Sequence, residues 1–224
     1  MSRHTRFIIA IGSTLALSPT RESRAQANPA EAAVDRAAAA WARMRTATGT
    51  IEQTVLNSLT GSSATLHATF QEERPNHLSV RYTDAKGDAI VSDGKWLWIY
   101  LPSSTPGQVL RRPASDRANV PVDPGQFLDS PRAKFDISDK GTATLANHAT
   151  RVVGLVPKKS EPTWFQRATV WIDDTDGTIR QVEVVENAAV TRRLQFTSLV
   201  PNGKVDAANF VFAVPKGVKI VDAK

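Results

Sequence analysis

The stretch FQEERPNHLSVRYTDAKGDAIVSDGKWLWIYL, residues 70–101, decides the reading of the fold. Glu73-Arg74-Pro75-Asn76 closes one run of alternating apolar residues, and Val91-Ser92-Asp93-Gly94-Lys95 separates two more. Leu78, Val80 and Tyr82 alternate with His77, Ser79 and Arg81, the period of a strand with one buried face. Trp96 to Leu101 is apolar at almost every position, which predicts a strand covered on both sides. Trp96 and Trp98 share one side of it, because side chains two apart in a strand point the same way. No catalytic signature lies beside these runs.

The same period extends outward. Ile51 and Val55 alternate with Glu52 and Thr54, and Leu66, Ala68 and Phe70 alternate with Thr65, His67 and Thr69. Strand patterns resume at Lys134–Ile137, Thr142–Ala146, His148–Val156, Phe165–Ile172, Thr178–Val185 and Val190–Leu199. Asp173-Asp174-Thr175-Asp176-Gly177 and Asn202-Gly203 are turn sequences, with Gly177 free to take positive φ. The first turn resembles part of a calcium loop, but Ile172 stands where the first acidic ligand belongs, so a tight hairpin is the reading. Roughly ten or eleven strands without long intervening helices predict one antiparallel sheet that curls strongly.

Ahead of the strands, Ala30 to Arg45 predicts a helix with Pro29 at its first turn. Ala33, Ala37, Trp41 and Met44 form its apolar stripe, a mostly alanine face with bulk only at Trp41 and Met44. The proline-rich residues 113–134 predict a loop with a short helix near Pro124 to Leu128 and an apolar tip at Phe127 and Leu128. Val205 to Phe210 reads as a helical turn and Phe212 to Val221 as a last extended segment.

The N-terminus has the three parts of an export signal. Arg3, His4 and Arg6 are basic, Phe7 to Leu17 is apolar, and Ala25-Gln26-Ala27 is a small-x-small cleavage site. Its apolar run is too short to span a bilayer. Cleavage after Ala27 gives a chain of residues 28–224, expected to fold as one periplasmic domain and to act as a monomer. Of the 28 basic and 22 acidic residues, the signal holds four arginines and one glutamate. Residues 28–224 therefore carry 24 basic and 21 acidic side chains, a net charge of +3. No Lys/Arg run resembles a nucleic-acid stripe. The absence of cysteine excludes thiolate metal sites and a lipid-modified cysteine.

His67, His77 and His148 stand at no metal-ligand spacing, and His67 and His77 fall on the polar, solvated side of their strands. There is no Gly-x-Ser-x-Gly elbow, phosphate loop or dinucleotide glycine pattern, so neither an enzyme nor a cofactor is expected. Arg74 has two readings: a strand-end arginine paired with Glu72 or Glu73 in water, or a latch aimed at backbone carbonyls of a neighbouring element. Many inward positions of the sheet are Val, Ala or Leu, light filling that leaves room for a ligand.

Several segments together resemble the periplasmic outer-membrane lipoprotein carrier family (LolA-like). They are Glu73-Arg74-Pro75-Asn76, the run Ile90 to Tyr100 with its Asp93-Gly94-Lys95 hairpin, Asp176 to Gln181, Val205 to Phe212, and Pro215-Lys216-Gly217-Val218. The resemblance implies an unclosed antiparallel half-barrel, mainly β, whose apolar interior is covered by a lid of short helices. It also implies an acylated lipoprotein as cargo, an inner-membrane lipoprotein-release transporter as donor and an outer-membrane receptor as acceptor. Arg74 matches the family's arginine that bonds lid backbone in the closed state. The lipid-lining candidates are Ile51, Val55, Leu66, Phe70, Leu78, Val80, Tyr82, Val91 and Trp98 in the first half. Val182, Val184, Leu194 and Phe196 follow in the second half, with Phe127 and Leu128 on the lid. The family often places aromatics where this chain has Ile51 and Val80, and the lid segment here is short and proline-rich. Another lipid, such as a glycolipid, therefore stands as the alternative cargo, and a static periplasmic sensor as the alternative role.

Overall fold

The computed structural model describes residues 28–116, 120, 123–159 and 163–222. The expected signal and its cleavage point after Ala27 lie outside the described residues. Among the described residues, twelve strands form one sheet. In chain order they are β1 (Thr46–Asn57), β2 (Ser62–Glu73), β3 (His77–Tyr82), β4 (Ala89–Asp93), β5 (Trp96–Tyr100), β6 (Gln108–Pro113), β7 (Phe135–Leu145), β8 (His148–Pro157), β9 (Arg167–Asp173), β10 (Ile179–Val185), β11 (Val190–Pro201) and β12 (Lys219–Asp222). Their spatial order is β12-β6-β5-β4-β3-β2-β1-β11-β10-β9-β8-β7. Neighbours run antiparallel except β12, which pairs parallel with β6. The total exceeds the ten or eleven expected because the C-terminal segment adds β12. The two runs expected at 134–137 and 142–146 are one strand, β7, with a bulge between Asp139 and Thr142.

The helix α1 (Pro29–Arg43) starts where the sequence predicts. The Asn28 side chain accepts the Ala30 amide at 3.1 Å, and Pro29 occupies the first turn. Ala30, Ala33, Val34 and Ala37 are fully buried against the inner faces of β7 to β10, around Val153, Val170, Ile172, Val182 and Val184. Two single-turn helices, α2 (Gly125–Leu128) and α3 (Pro131–Lys134), lie beside α1. A second apolar cluster on the same concave face joins Ile51, Phe70, Leu78, Val80, Leu97, Leu194 and Phe196.

The outer face of β3 to β5 is covered as well. A 3-10 turn at Ala207–Phe210 lies over β3 and β4. Phe212 stacks on Trp98, with ring centroids 5.5 Å apart, and tilts against Tyr100 at 5.7 Å. Arg81 Nη2 donates to the carbonyls of Asn209 (3.2 Å) and Val211 (3.3 Å). This corrects two lining assignments. Val91 pairs with Trp98 across the ladder, while their neighbours Ile90 and Leu97 belong to the inner cluster. Alternation therefore puts Val91 and Trp98 on the convex side, and the chain's own C-terminal segment buries them there. His77 is likewise not solvated: its ring rests on Phe210 at 5.4 Å.

Gly49 sits beside the β1–β11 bulge, where an added Cβ would lie 2.0 Å from the Ser198 carbonyl oxygen. Gly49→Ala must push these two central strands apart. The expected cost is about 1–3 kcal/mol, a fall in melting temperature of roughly 2–12 °C by thermal circular dichroism.

Candidate functional site

The concave face is not filled to its end. Between the second half of α1 and the sheet lies a cavity of about 200 Å³. Ala37, Ala40, Trp41 and Met44 roof it; Ala47, Phe70, Ile179, Phe196 and Leu199 floor it; Leu128 closes one side. Arg43, Asp176, Thr178 and Asn202 stand at its polar rim. The hollow follows from side-chain size. Where α1 presents alanine it sinks onto the sheet, and where Trp41 and Met44 begin, its backbone must stand off.

Three attachments hold α1 over this cavity. At its C-terminal end, Arg74 Nη1 donates to the Trp41 carbonyl and, at 3.3 Å, to the Met44 carbonyl. The guanidinium carbon lies 4.7 Å from the centroid of the Trp41 ring. The Trp41 carbonyl also accepts the Met44 amide at 3.1 Å, so the arginine adds a charged donor at a helix end whose carbonyls are otherwise thinly served. The Arg74 amide also donates to the Arg45 carbonyl at 2.8 Å. At mid-helix, Arg36 pairs with Asp174 at 3.4 Å, and Gly177 (φ 74°) presses its turn so close that a Cβ would stand 3.1 Å from the Arg36 carbonyl oxygen. At the N-terminal half, Arg132 of α3 bonds Glu31 and, in a two-point contact of 2.9 and 2.6 Å, Asp35. The Arg132 hydrogen bonds hold the Asp35 carboxyl below its ordinary range.

The turn under α1 is braced by Asp173, which is 1 % exposed. It accepts from Thr175 N (2.8 Å) and Arg180 Nε (2.9 Å), and His148 Nδ1 lies 2.7 Å away. Burial pulls this carboxyl up, but the Thr175 amide and the Arg180 guanidinium outweigh burial and hold it below its ordinary 3.8. Farther along the concave face, Tyr82 donates to Gln53 Oε1 at 3.1 Å. Burial raises the phenol's pKa against the opposing charge of Arg192. On the exposed outer side, His67 Nδ1 stands 2.7 Å from Asp84.

Of the lining candidates, Phe70, Phe196 and Leu128 border the cavity. Ile51, Leu78, Val80, Leu194 and partly buried Tyr82 share the concave cluster around it. Val182 and Val184 are sealed beneath α1. Val55 and Leu66 keep the inward parity but are only half-buried. Phe127 is not an exposed tip: it is 1 % exposed and packs on Phe165 at 5.6 Å. The alanine stripe with Trp41 and Met44 was the available signal for the roof. Ile179, Leu199 and Asn202 carry only strand and turn signals in the sequence. Among the described residues, no group of three or more His, Cys, Asp or Glu side chains could hold a metal ion, and no helix is long and apolar enough to cross a membrane.

Comparison with known proteins gives a consistent result. The family model described as "Outer membrane lipoprotein carrier protein LolA" matches residues 42–213. An outer-membrane lipoprotein carrier protein of Klebsiella pneumoniae subsp. pneumoniae is 29% identical over 154 residues, covering 68% of this chain and 69% of that one. Its counterpart in Methylibium petroleiphilum is 25% identical over 180 residues, covering 80% and 84%. A solved structure of an uncharacterized conserved protein from Thermus thermophilus shares the fold, with TM-score 0.51, 14% identity, and coverage of 88% of this chain and all of that one.

Two outcomes follow from these attachments. Arg74→Leu removes the bonds to the last turn of α1. Amide exchange there should accelerate roughly 10- to 100-fold while the β1–β2 ladder keeps its protection, as hydrogen-exchange mass spectrometry would read. Because the folded Asp173 pKa is depressed, the stability it contributes is present above about pH 3.8 and is lost as pH falls through the folded value. The melting temperature should therefore drop more steeply below about pH 4 in the unaltered protein than in Asp173→Asn.

Proposed function

The chain belongs to the outer membrane lipoprotein carrier (LolA) family, and on that premise we propose that it is a periplasmic carrier, exported with cleavage after Ala27. It holds acyl chains of lipoproteins in its concave face and shuttles them from an inner-membrane release transporter to an outer-membrane receptor. It works as a monomeric binding protein and uses no cofactor. The observation that supports this most is an apolar hollow under a helix whose C-terminal turn is fastened by one arginine.

Energetics favour a cover of this kind. Full burial of hydrocarbon gains about 0.8 kcal/mol per methylene, so one long chain would reach on the order of 10 kcal/mol and resist release. A carrier must let go. A lid that recloses on an empty cavity competes with cargo and lowers the apparent affinity by the fraction of time it stands open. Arg74 sets that fraction in this reading, and Leu128, which borders the cavity from α2, is displaced when cargo enters. A cavity of about 200 Å³ is smaller than the pockets of roughly 300 Å³ and more that hold drug-sized ligands, so a multi-chain cargo requires the lid to lift. A glycolipid is the second cargo class for the same hollow.

Mass spectrometry of organic extracts from natively purified protein should find acyl-bearing material, and an acylated peptide should displace a polarity-sensitive dye. Protein free of lipid and indifferent to acylated peptide would end the carrier reading. Arg74→Leu should bind the acylated peptide roughly tenfold more tightly and pass it on more slowly, since closure no longer competes.

A further inference from the structure

The rim of the cavity is not electrostatically even. Asp176 is fully engaged: Oδ1 accepts the Thr178 amide (2.8 Å) and hydroxyl (2.6 Å), and Oδ2 accepts Arg180 (2.6 Å). Asn202 spends its carbonyl oxygen on the Arg45 amide at 2.9 Å, which leaves its NH2 group to donate. Arg43, exposed at the rim, makes no side-chain hydrogen bond or ion pair among the described residues. A last-turn arginine ordinarily complements the negative end of its helix. Here Arg74 already serves the Trp41 and Met44 carbonyls, so the Arg43 charge is left over. The mouth therefore offers an unpaired cation and an amide donor, while its carboxylate is neutralised.

The hollow behind that mouth has room for one chain. An apolar cavity of about 150 Å³ takes a benzene ring, so about 200 Å³ admits the end of a single alkyl chain without moving the lid. Together the apolar hollow and the basic rim suit a single-chain amphiphile with an anionic head. Resting on the carrier reading, we infer that the closed form binds such an amphiphile, a carboxylate- or phosphate-headed single-chain lipid, with Arg43 and Asn202 facing the head and Trp41 and Met44 covering the tail. Arg43 is then the residue that selects the head group, separate from the latch at Arg74.

The test is displacement of a polarity-sensitive dye from the full chain at low ionic strength by four probes with twelve-carbon tails: dodecanoate, lauroyl lysophosphatidate, dodecyl maltoside and dodecyltrimethylammonium. The expected result is that the two anions bind about three- to fivefold tighter than the maltoside, the gain of a partly exposed charge contact. The cation should bind weakest. Arg43→Gln should level anion and maltoside, and Arg43→Glu should reverse the order in favour of the cation. A larger preference for dodecanoate assigns a fatty acid, and a larger one for lysophosphatidate assigns a phosphate head; both uphold the inference. Equal binding of all four probes overturns it and leaves the carrier reading standing. An anion preference that survives Arg43→Glu overturns the role of Arg43. Failure of every probe to displace the dye takes down the carrier reading itself.

Discussion

A twelve-stranded sheet that curves has one inner face, and here a fifteen-residue helix covers the part of it on β7 to β9. At 1.5 Å per residue such a helix is about 22 Å long. Its first half solves the problem with alanine, which lets helix and sheet approach closely but fills little volume. Its last turns solve it differently, with two bulky side chains that hold the backbone away. One end of the interior is therefore a packed core and the other a void. The void is not a packing failure elsewhere in the sheet. It lies where the helix changes from small to large residues.

That arrangement shifts weight onto polar contacts. The buried alanines contribute little hydrophobic area each, and exposed pairs such as Arg36–Asp174 or Arg132–Glu31 contribute at most about 1 kcal/mol apiece. The charge-assisted bonds from Arg74 to helix carbonyls are the stronger kind. They also stand at the end where packing is weakest. The first half of α1 is tied by Arg132 to α3 and packed against α2 and the sheet, so its two ends differ in how firmly they are held. The weaker hold coincides with the hollow.

Much of this was legible in the sequence. The alanine stripe, the strand periods, the Gly177 turn and the Arg-Pro position each depend on residues close together in the chain. The two faces of a strand are equally legible, but which face looks inward is not. Trp98 has the bulk of a core residue and is indeed buried, yet the partner that buries it is Phe212, far along the chain and on the outside. Val91 shares that face, so the same ambiguity applied to it. The same limit hid Arg132, Asp174 and Asn202. Each acts on α1 or its rim through contacts between segments distant in sequence, and no local pattern marks a surface arginine or a turn asparagine as one that will meet a helix.

The pair β1 and β11 joins the two halves of the sheet, residues 46–57 to residues 190–201. Contacts of such separation are slow to form, since the loop between them must close before they repay it. Synthesis delivers β1 long before β11 exists, and the surfaces that α1 covers, on β7 to β9, also come later. A nascent chain can pair β1 with β2 early, but the seam between β1 and β11 closes only once the last long strand has been made. Until then β1 presents an open edge, whose unpaired amides and carbonyls are a template for pairing with another chain.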